Sequence, residues 1–94
     1  MSLDAVRSEI REIDEKIIDL VAERQRLAAE VARIKQEKSL PIHDPAQRRV
    51  VLDRIFTYAV ESRIDPVAVR KVFEILIEMS EERQRECSGD GNLP

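Results

Sequence analysis

The sequence has 94 residues, of which 43% are hydrophobic, with two glycines and no tryptophan. This length fits one small domain, and so few glycines and aromatic residues favour helix over sheet. Sixteen Lys and Arg nearly balance 19 Asp and Glu, so the surface offers no basic field to nucleic acid or anionic lipid. No apolar run approaches the roughly 20 residues that span a bilayer, and Cys87 has no intrachain partner. We therefore expect a cytoplasmic protein that binds neither nucleic acid nor membranes.

The first predicted helix covers about residues 3–38, a stretch without glycine or proline. Its apolar residues recur at alternating spacings of three and four, which is typical of one helix face. These residues are Leu3, Val6, Ile10, Ile13, Ile17, Leu20, Leu27, Val31 and Ile34.

The length of this helix predicts a second copy of the chain. At 1.5 Å per residue it is a rod of about 54 Å, whereas a compact domain of this size is only about 32 Å across. Part of the rod should project with its apolar stripe uncovered, which a soluble monomer rarely tolerates. We therefore expect a homodimer in which a partner covers the stripe.

The second predicted helix begins after the pair Asp44-Pro45. Asp44 is suited to the N-cap, a proline fits the first helical position, and Gln47 stands at the capping-box position. The apolar pattern that follows predicts a helix over about residues 45–63.

The pair Asp65-Pro66 repeats this signal and predicts a third helix over about residues 66–86. The sequence thus indicates one all-α domain of three helices over residues 3–87. Residues 88–94 have the composition of a disordered tail.

Arg24 stands where the stripe of the first helix should continue between Leu20 and Leu27. A cation inside a buried seam costs several kcal/mol unless it is paired, and no acidic residue lies at a matching position nearby. A snorkelling arginine or one paired with another chain stays possible on this pattern alone. The other interpretation is a binding site for an external anion.

Two further cations relate to Arg24 through helix geometry. Lys35 lies eleven residues beyond it, which is three turns and about 20° of rotation, so both point to one side of the rod. Arg7 lies seventeen residues before it, about 25 Å along the axis. One chain cannot bring Arg7 and Arg24 to a small ligand, but an antiparallel partner could. Taken alone, Arg7 reads as a solvated surface charge.

Polar residues on the third helix complete the set of candidates. Ser80 and Gln84 are four residues apart and share a helix face, although the polar end of a helix leaving the core would look the same. His43 has no metal-ligand spacing around it, and the sequence lacks a phosphate loop and a nucleophile with its base. We expect no metal and no cofactor.

The order and spacing of these residues resemble the all-helical chorismate mutases of the AroQ class, over nearly the whole chain. The resemblance rests on Arg7, Arg24 and Lys35 in the long first helix, on Pro41-Ile42-His43-Asp44-Pro45 before the second, and on Ile77-Glu78-Met79-Ser80 with Gln84 in the third. Each motif is weak by itself, but together and without gaps they are specific.

This resemblance implies the cofactor-free [3,3] rearrangement of chorismate to prephenate, on the route to phenylalanine and tyrosine. It also implies an intertwined six-helix homodimer with two shared active sites. A concerted rearrangement needs no covalent catalyst, because the enzyme has only to hold the dianion in its reactive chair and stabilise charge on the breaking ether oxygen.

The family pattern assigns roles to the matching residues. Arg24 and the partner's Arg7 would bind the two carboxylates through bidentate contacts. Lys35 and Gln84 would donate to the ether oxygen, and Ser80 would support a carboxylate. The resemblance thus makes Arg24, Lys35 and Gln84 the expected catalytic residues.

One region departs from the family, which usually has Arg-Glu early in the second helix, where this chain has Gln47-Arg48. The family glutamate accepts a hydrogen bond from the ring hydroxyl, near which Asp44 should also lie, whereas an arginine can only donate. A shift of one residue restores Arg48 as a substrate-binding arginine, but not the glutamate, because residue 49 is another arginine.

Two alternatives remain open on the sequence. The first is an enzyme with the same fold that eliminates pyruvate from isochorismate. The hydroxyl of isochorismate lies elsewhere on the ring, so this enzyme would not need that glutamate. A non-enzymatic helical dimer or adaptor should have an apolar seam throughout, without the cation Arg24.

Overall fold

The computed structural model describes residues 2–88 and contains three helices: α1 (Leu3–Glu37), α2 (Pro45–Glu61) and α3 (Pro66–Ser88). This part of the chain has no strand, which confirms the predicted all-α class with a long first helix. Apart from Ser88, the last residue of α3, the tail expected at 88–94 lies outside the described residues.

Short polar side chains begin the three helices. Ser2 Oγ accepts from the Ala5 backbone N–H at 3.0 Å, and Asp44 Oδ1 accepts from the Gln47 N–H at 3.1 Å. Asp65 Oδ1 accepts from the Val67 N–H at 3.0 Å. Each contact satisfies a backbone donor that the helix itself cannot bond, so the two Asp-Pro signals mark true helix starts.

The second helix ends at Glu61, about two residues before its expected end. The Ser62 N–H bonds to the Tyr58 carbonyl oxygen, and Arg63 then takes a φ of 59°. A residue in this left-handed region cannot continue a right-handed helix, so the chain turns toward α3.

The third helix packs against both α1 and α2 and is therefore the central helix of the chain. The buried apolar residues are the small side chains Ala28, Ala32 and Ala59, and Gln84 of α3 is buried with only 5% of its surface exposed. Because alanines allow backbones to approach closely, the C-terminal half of α1 lies against α3.

The N-terminal half of α1 projects beyond the rest of the chain. Residues 3–20 are all exposed, including Ile13 at 54% and Leu20 at 66%. The chain is 54 Å long with a radius of gyration of 16.5 Å, compared with about 12 Å for a compact domain of this length. The predicted projection of α1 is confirmed, and its own chain leaves the apolar stripe uncovered. Among the described residues, no helix is long and apolar enough to cross a membrane.

Candidate active site

A cavity of about 300 Å³ lies between the C-terminal half of α1, the start of α2 and the C-terminal half of α3. Six of the seven residues that the sequence singled out for substrate binding line it. These are Arg24, Lys35, Asp44, Arg48, Ser80 and Gln84. The helix packing therefore brings together polar residues that are up to 60 positions apart in the sequence.

The ammonium group of Lys35 is fixed at the centre of a hydrogen-bond chain. Its Nζ donates to the Ile42 carbonyl oxygen at 2.7 Å and to Gln84 Oε1 at 2.9 Å. Gln84 Nε2 in turn donates to Ser80 Oγ at 3.2 Å. These contacts link α1, the loop before α2, and α3, and they hold a buried amide in one orientation.

Lys35 and Gln84 both have N–H donors that these hydrogen bonds do not use. An ammonium has three N–H donors, and within the described residues Lys35 uses two of them. An amide NH₂ has two donors, and Gln84 uses one of them on Ser80. The cavity therefore has one spare N–H of Lys35 and one of Gln84 for an acceptor atom of a ligand.

Arg24 is half-buried at the edge of the same cavity. Its Cζ lies 5.8 Å from the centre of the Phe73 ring, a cation–π distance, and NH1 donates to the Leu76 carbonyl oxygen at a long 3.4 Å. Within residues 2–88 it makes no ion pair with a carboxylate. The guanidinium is thus oriented by α3 while most of its five donors stay available.

Electrostatically the cavity favours an anion. Arg24, Lys35 and Arg48 contribute three positive charges, against the two carboxylates Asp44 and Glu81. Clefts with one predominant sign of charge and low-dielectric walls concentrate ligands of the opposite sign. In the described residues, no group of three or more His, Cys, Asp or Glu could hold a metal ion.

The polar part of the wall that α2 contributes is formed by its cap and first turn. Asp44 caps the helix with Oδ1, and Gln47 and Arg48 follow it along the cavity. Asp44 and Gln47 are exposed and Arg48 is half-buried. Beyond Asp44, this first turn presents an amide and a guanidinium to the cavity, and no second carboxylate.

The family of the chain follows from its match to known proteins. The model of the family "Chorismate mutase type II" matches residues 6–85, which include nearly all of the three helices and the cavity between them. The chain belongs to the chorismate mutase type II family.

Similar proteins fall into two groups. A chorismate mutase from Methanocaldococcus jannaschii is 40% identical over 84 residues, which are 89% of this chain and 85% of that protein. A bifunctional chorismate mutase/prephenate dehydratase from Escherichia coli K12 is 34% identical over 76 residues, 81% of this chain and 20% of that protein. One from Aquifex aeolicus is 42% identical over 53 residues, 56% of this chain and 15% of that protein. The chain thus spans most of the first relative and a fifth or less of these two bifunctional ones.

Arg7 belongs to the family pattern but does not line the cavity of its own chain. It lies on the exposed, projecting half of α1, seventeen residues before Arg24 and so about 25 Å away along the helix. Within residues 2–88 no hydrogen bond or ion pair involves its guanidinium. The cavity of one chain is therefore lined by every residue to which the resemblance gives a substrate-binding role, except Arg7.

Sequence reasoning missed several residues that line the cavity. Val31, Ile42, Val51 and Ile77 form its apolar wall. Val31 belongs to the stripe of the first helix, and Ile42 and Ile77 stand within the motifs of the resemblance, but neither pattern gave them a place in a site. Glu81 also lines it, although no motif distinguished this glutamate from its exposed neighbour Glu82. A carboxylate in a cavity whose charge favours an anion calls for a physical explanation, because like charges repel.

Proposed function

We propose that the chain catalyses the rearrangement of chorismate to prephenate as an interlocked homodimer with two shared active sites. The observation that carries the proposal is the Lys35–Gln84 contact of 2.9 Å, which fixes two groups with spare N–H donors beside Arg24 in one cavity. The family membership supports the same reaction.

The reaction breaks an ether C–O bond while a C–C bond forms, so negative charge grows on the ether oxygen. Donors that are already oriented stabilise such charge without reorganising. The spare N–H of Lys35 and that of Gln84 are the groups suited to this oxygen. Each donor is held in place by the other hydrogen bonds of its side chain. Its hydrogen bond to the ether oxygen becomes stronger as negative charge grows there, so the two donors stabilise the transition state more than the bound substrate.

Substrate positioning is the second requirement, and Arg24 is suited to it. A guanidinium binds a carboxylate with two parallel hydrogen bonds, which fixes orientation as well as adding energy. The Phe73 ring and the Leu76 carbonyl oxygen hold this guanidinium without neutralising it. Holding the dianion in its chair near the two donors converts binding into a rate increase.

The dimer is proposed from the uncovered stripe of α1 and from Arg7. Large side chains such as Ile10, Ile13 and Ile17 are each more than half exposed on the projecting half of the helix. A second antiparallel copy would cover this stripe and place the partner's Arg7 beside Arg24, where it would bind the second carboxylate. We also expect a cytoplasmic location, in keeping with the unpaired, exposed Cys87.

The direct test adds chorismate to the purified chain and follows the loss of its ultraviolet absorbance, with identification of the product. We expect prephenate to form far above the uncatalysed background. If none forms above background, the proposal fails.

One competing activity has an observation in its favour. Gln47 and Arg48 line the cavity where the family usually has Arg-Glu, so the acceptor for the ring hydroxyl of chorismate is missing from α2. An elimination of pyruvate from isochorismate would not need that acceptor. Isochorismate assayed in parallel with chorismate separates the two, and we expect prephenate formation to be the faster reaction. A non-enzymatic adaptor would turn over neither compound.

A further inference from the structure

Glu81 is a carboxylate that the proposed mechanism does not yet use. It lies on α3 directly after Ser80 and three residues before Gln84, and it lines the same cavity as both. Its side chain is only 15% exposed, whereas that of its neighbour Glu82 is 65% exposed. A negative charge beside groups that favour an anion repels that anion, so the position of Glu81 calls for a separate role.

Two contacts hold the Glu81 carboxylate in place. Its Oε1 accepts from His43 Nδ1 at 3.0 Å, and its Oε2 lies 3.7 Å from NH2 of Arg85. An ionised carboxylate only accepts hydrogen bonds, so the histidine nitrogen is the donor. The two oxygens offer about four lone-pair sites, so accepting capacity is left for a ligand.

The position of His43 places Glu81 on a particular side of the cavity. His43 immediately precedes Asp44, the cap of α2, so its hydrogen bond with Glu81 ties α3 to the start of the second helix. By the resemblance, the substrate's ring hydroxyl lies near Asp44, which His43 directly precedes and which lines the same cavity as Glu81. A neutral hydroxyl is the substrate group that a carboxylate can bind without repulsion.

We propose that Glu81 accepts the hydrogen bond of the ring hydroxyl and takes the place of the glutamate that the family has on α2. The inference rests on the proposed function. Other acceptors at this end of the cavity are less suited, because Asp44 is exposed and occupied as a helix cap, and Gln47 is exposed and neutral. A charged acceptor with little exposure forms the stronger hydrogen bond.

The test compares chorismate with an analogue in which hydrogen replaces the ring hydroxyl, using kcat/KM of the full chain for each. We expect the unaltered enzyme to favour chorismate by about tenfold or more, the ordinary worth of a hydrogen bond to a charged group. Glu81→Ala should reduce this preference to within about threefold of unity, because only the reaction of chorismate loses an interaction. A general disturbance of the site would slow both substrates and leave their ratio unchanged.

Two further variants keep the result decisive. Glu82→Ala removes a neighbouring glutamate that also contacts Arg85, at 3.2 Å, but does not line the cavity, so it should keep the full preference. Glu81→Gln retains the shape and an acceptor oxygen while losing the charge, and it should lower the preference by about threefold or more. The proposal is overturned if the unaltered enzyme does not discriminate, or if both Glu81 variants keep its preference. An enzyme that rearranges neither substrate would instead refute the proposed function itself.

Discussion

Lys35 Nζ of α1 lies 2.9 Å from Gln84 Oε1 of α3, and this contact orients both side chains toward the cavity. The two residues are 49 positions apart, and Gln84 is the buried polar residue of the described chain. A buried amide without a partner would cost about 1–3 kcal/mol, so the contact stabilises the helix pair as well as the site.

Replacing Gln84 tests the role of this contact in catalysis. Gln84→Met keeps the volume and removes the amide donors, so we expect kcat to fall by roughly 100-fold to 1000-fold, as when one donor to a developing oxyanion is lost. KM should change much less, because the interaction forms mainly in the transition state. Steady-state kinetics with chorismate measure both values, and a change confined to KM would assign Gln84 to ground-state binding instead.

Arg24 is expected to be dispensable for folding and essential for activity. Arg24→Ala removes a half-buried cation that has no carboxylate partner within residues 2–88, so the melting temperature should change little. The value of kcat/KM should fall by about 100-fold or more, because a bidentate carboxylate contact is lost. Arg33→Ala, on an exposed arginine of the same helix that pairs with Glu30, is the matched control and should keep its activity. Near-normal turnover of Arg24→Ala would show that the site is misplaced.

The two aspartate caps separate stability from function. Asp44→Ala and Asp65→Ala each remove an oxygen that accepts a backbone N–H at the start of a helix, so each should lower the free energy of unfolding by about 1 kcal/mol. Only Asp44 lines the cavity, so only Asp44→Ala should also lower kcat/KM. Thermal unfolding and kinetics on both variants test this, and equal kinetic losses in the two would mean that Asp44 acts as a cap alone.

The stripe of α1 should hold the dimer together. Ile13→Asp with Ile17→Asp places two charges on the uncovered face, and burying them against a partner is strongly unfavourable. We expect this double variant to lose the dimer in analytical ultracentrifugation and to unfold at a lower temperature. Glu15→Lys changes charge on the same half of α1 but off the stripe and should stay dimeric. If the double variant sediments as the unaltered chain does, another surface forms the dimer.

Local patterns predicted most of the fold because the signals that matter are themselves local. The Asp44-Pro45 and Asp65-Pro66 pairs act within three residues, and they mark the starts of α2 and α3. The end of α2 was less predictable, since it depends on the positive φ of Arg63, a residue type that does not favour this region.

The site was predictable only where spacing along one helix or the family resemblance specified it. Arg24 and Lys35 follow from helical geometry, and both line the cavity. The 3.0 Å contact between His43 and Glu81 joins residues 38 positions apart, so neither periodicity nor a motif indicates it. The direction in which α3 crosses the start of α2 decides this pairing, and that direction is a property of the packed structure.

The most direct test of a shared active site mixes two inactive variants. Arg7→Ala and Arg24→Ala chains should each be nearly inactive as homodimers, because every site lacks one of its two carboxylate-binding arginines. Heterodimers formed by exchange have one site with neither substitution, so a random mixture should recover about one quarter of the unaltered activity. If chain exchange is verified by mass spectrometry and the mixture stays as inactive as its parents, the two arginines do not meet across chains and the account is wrong.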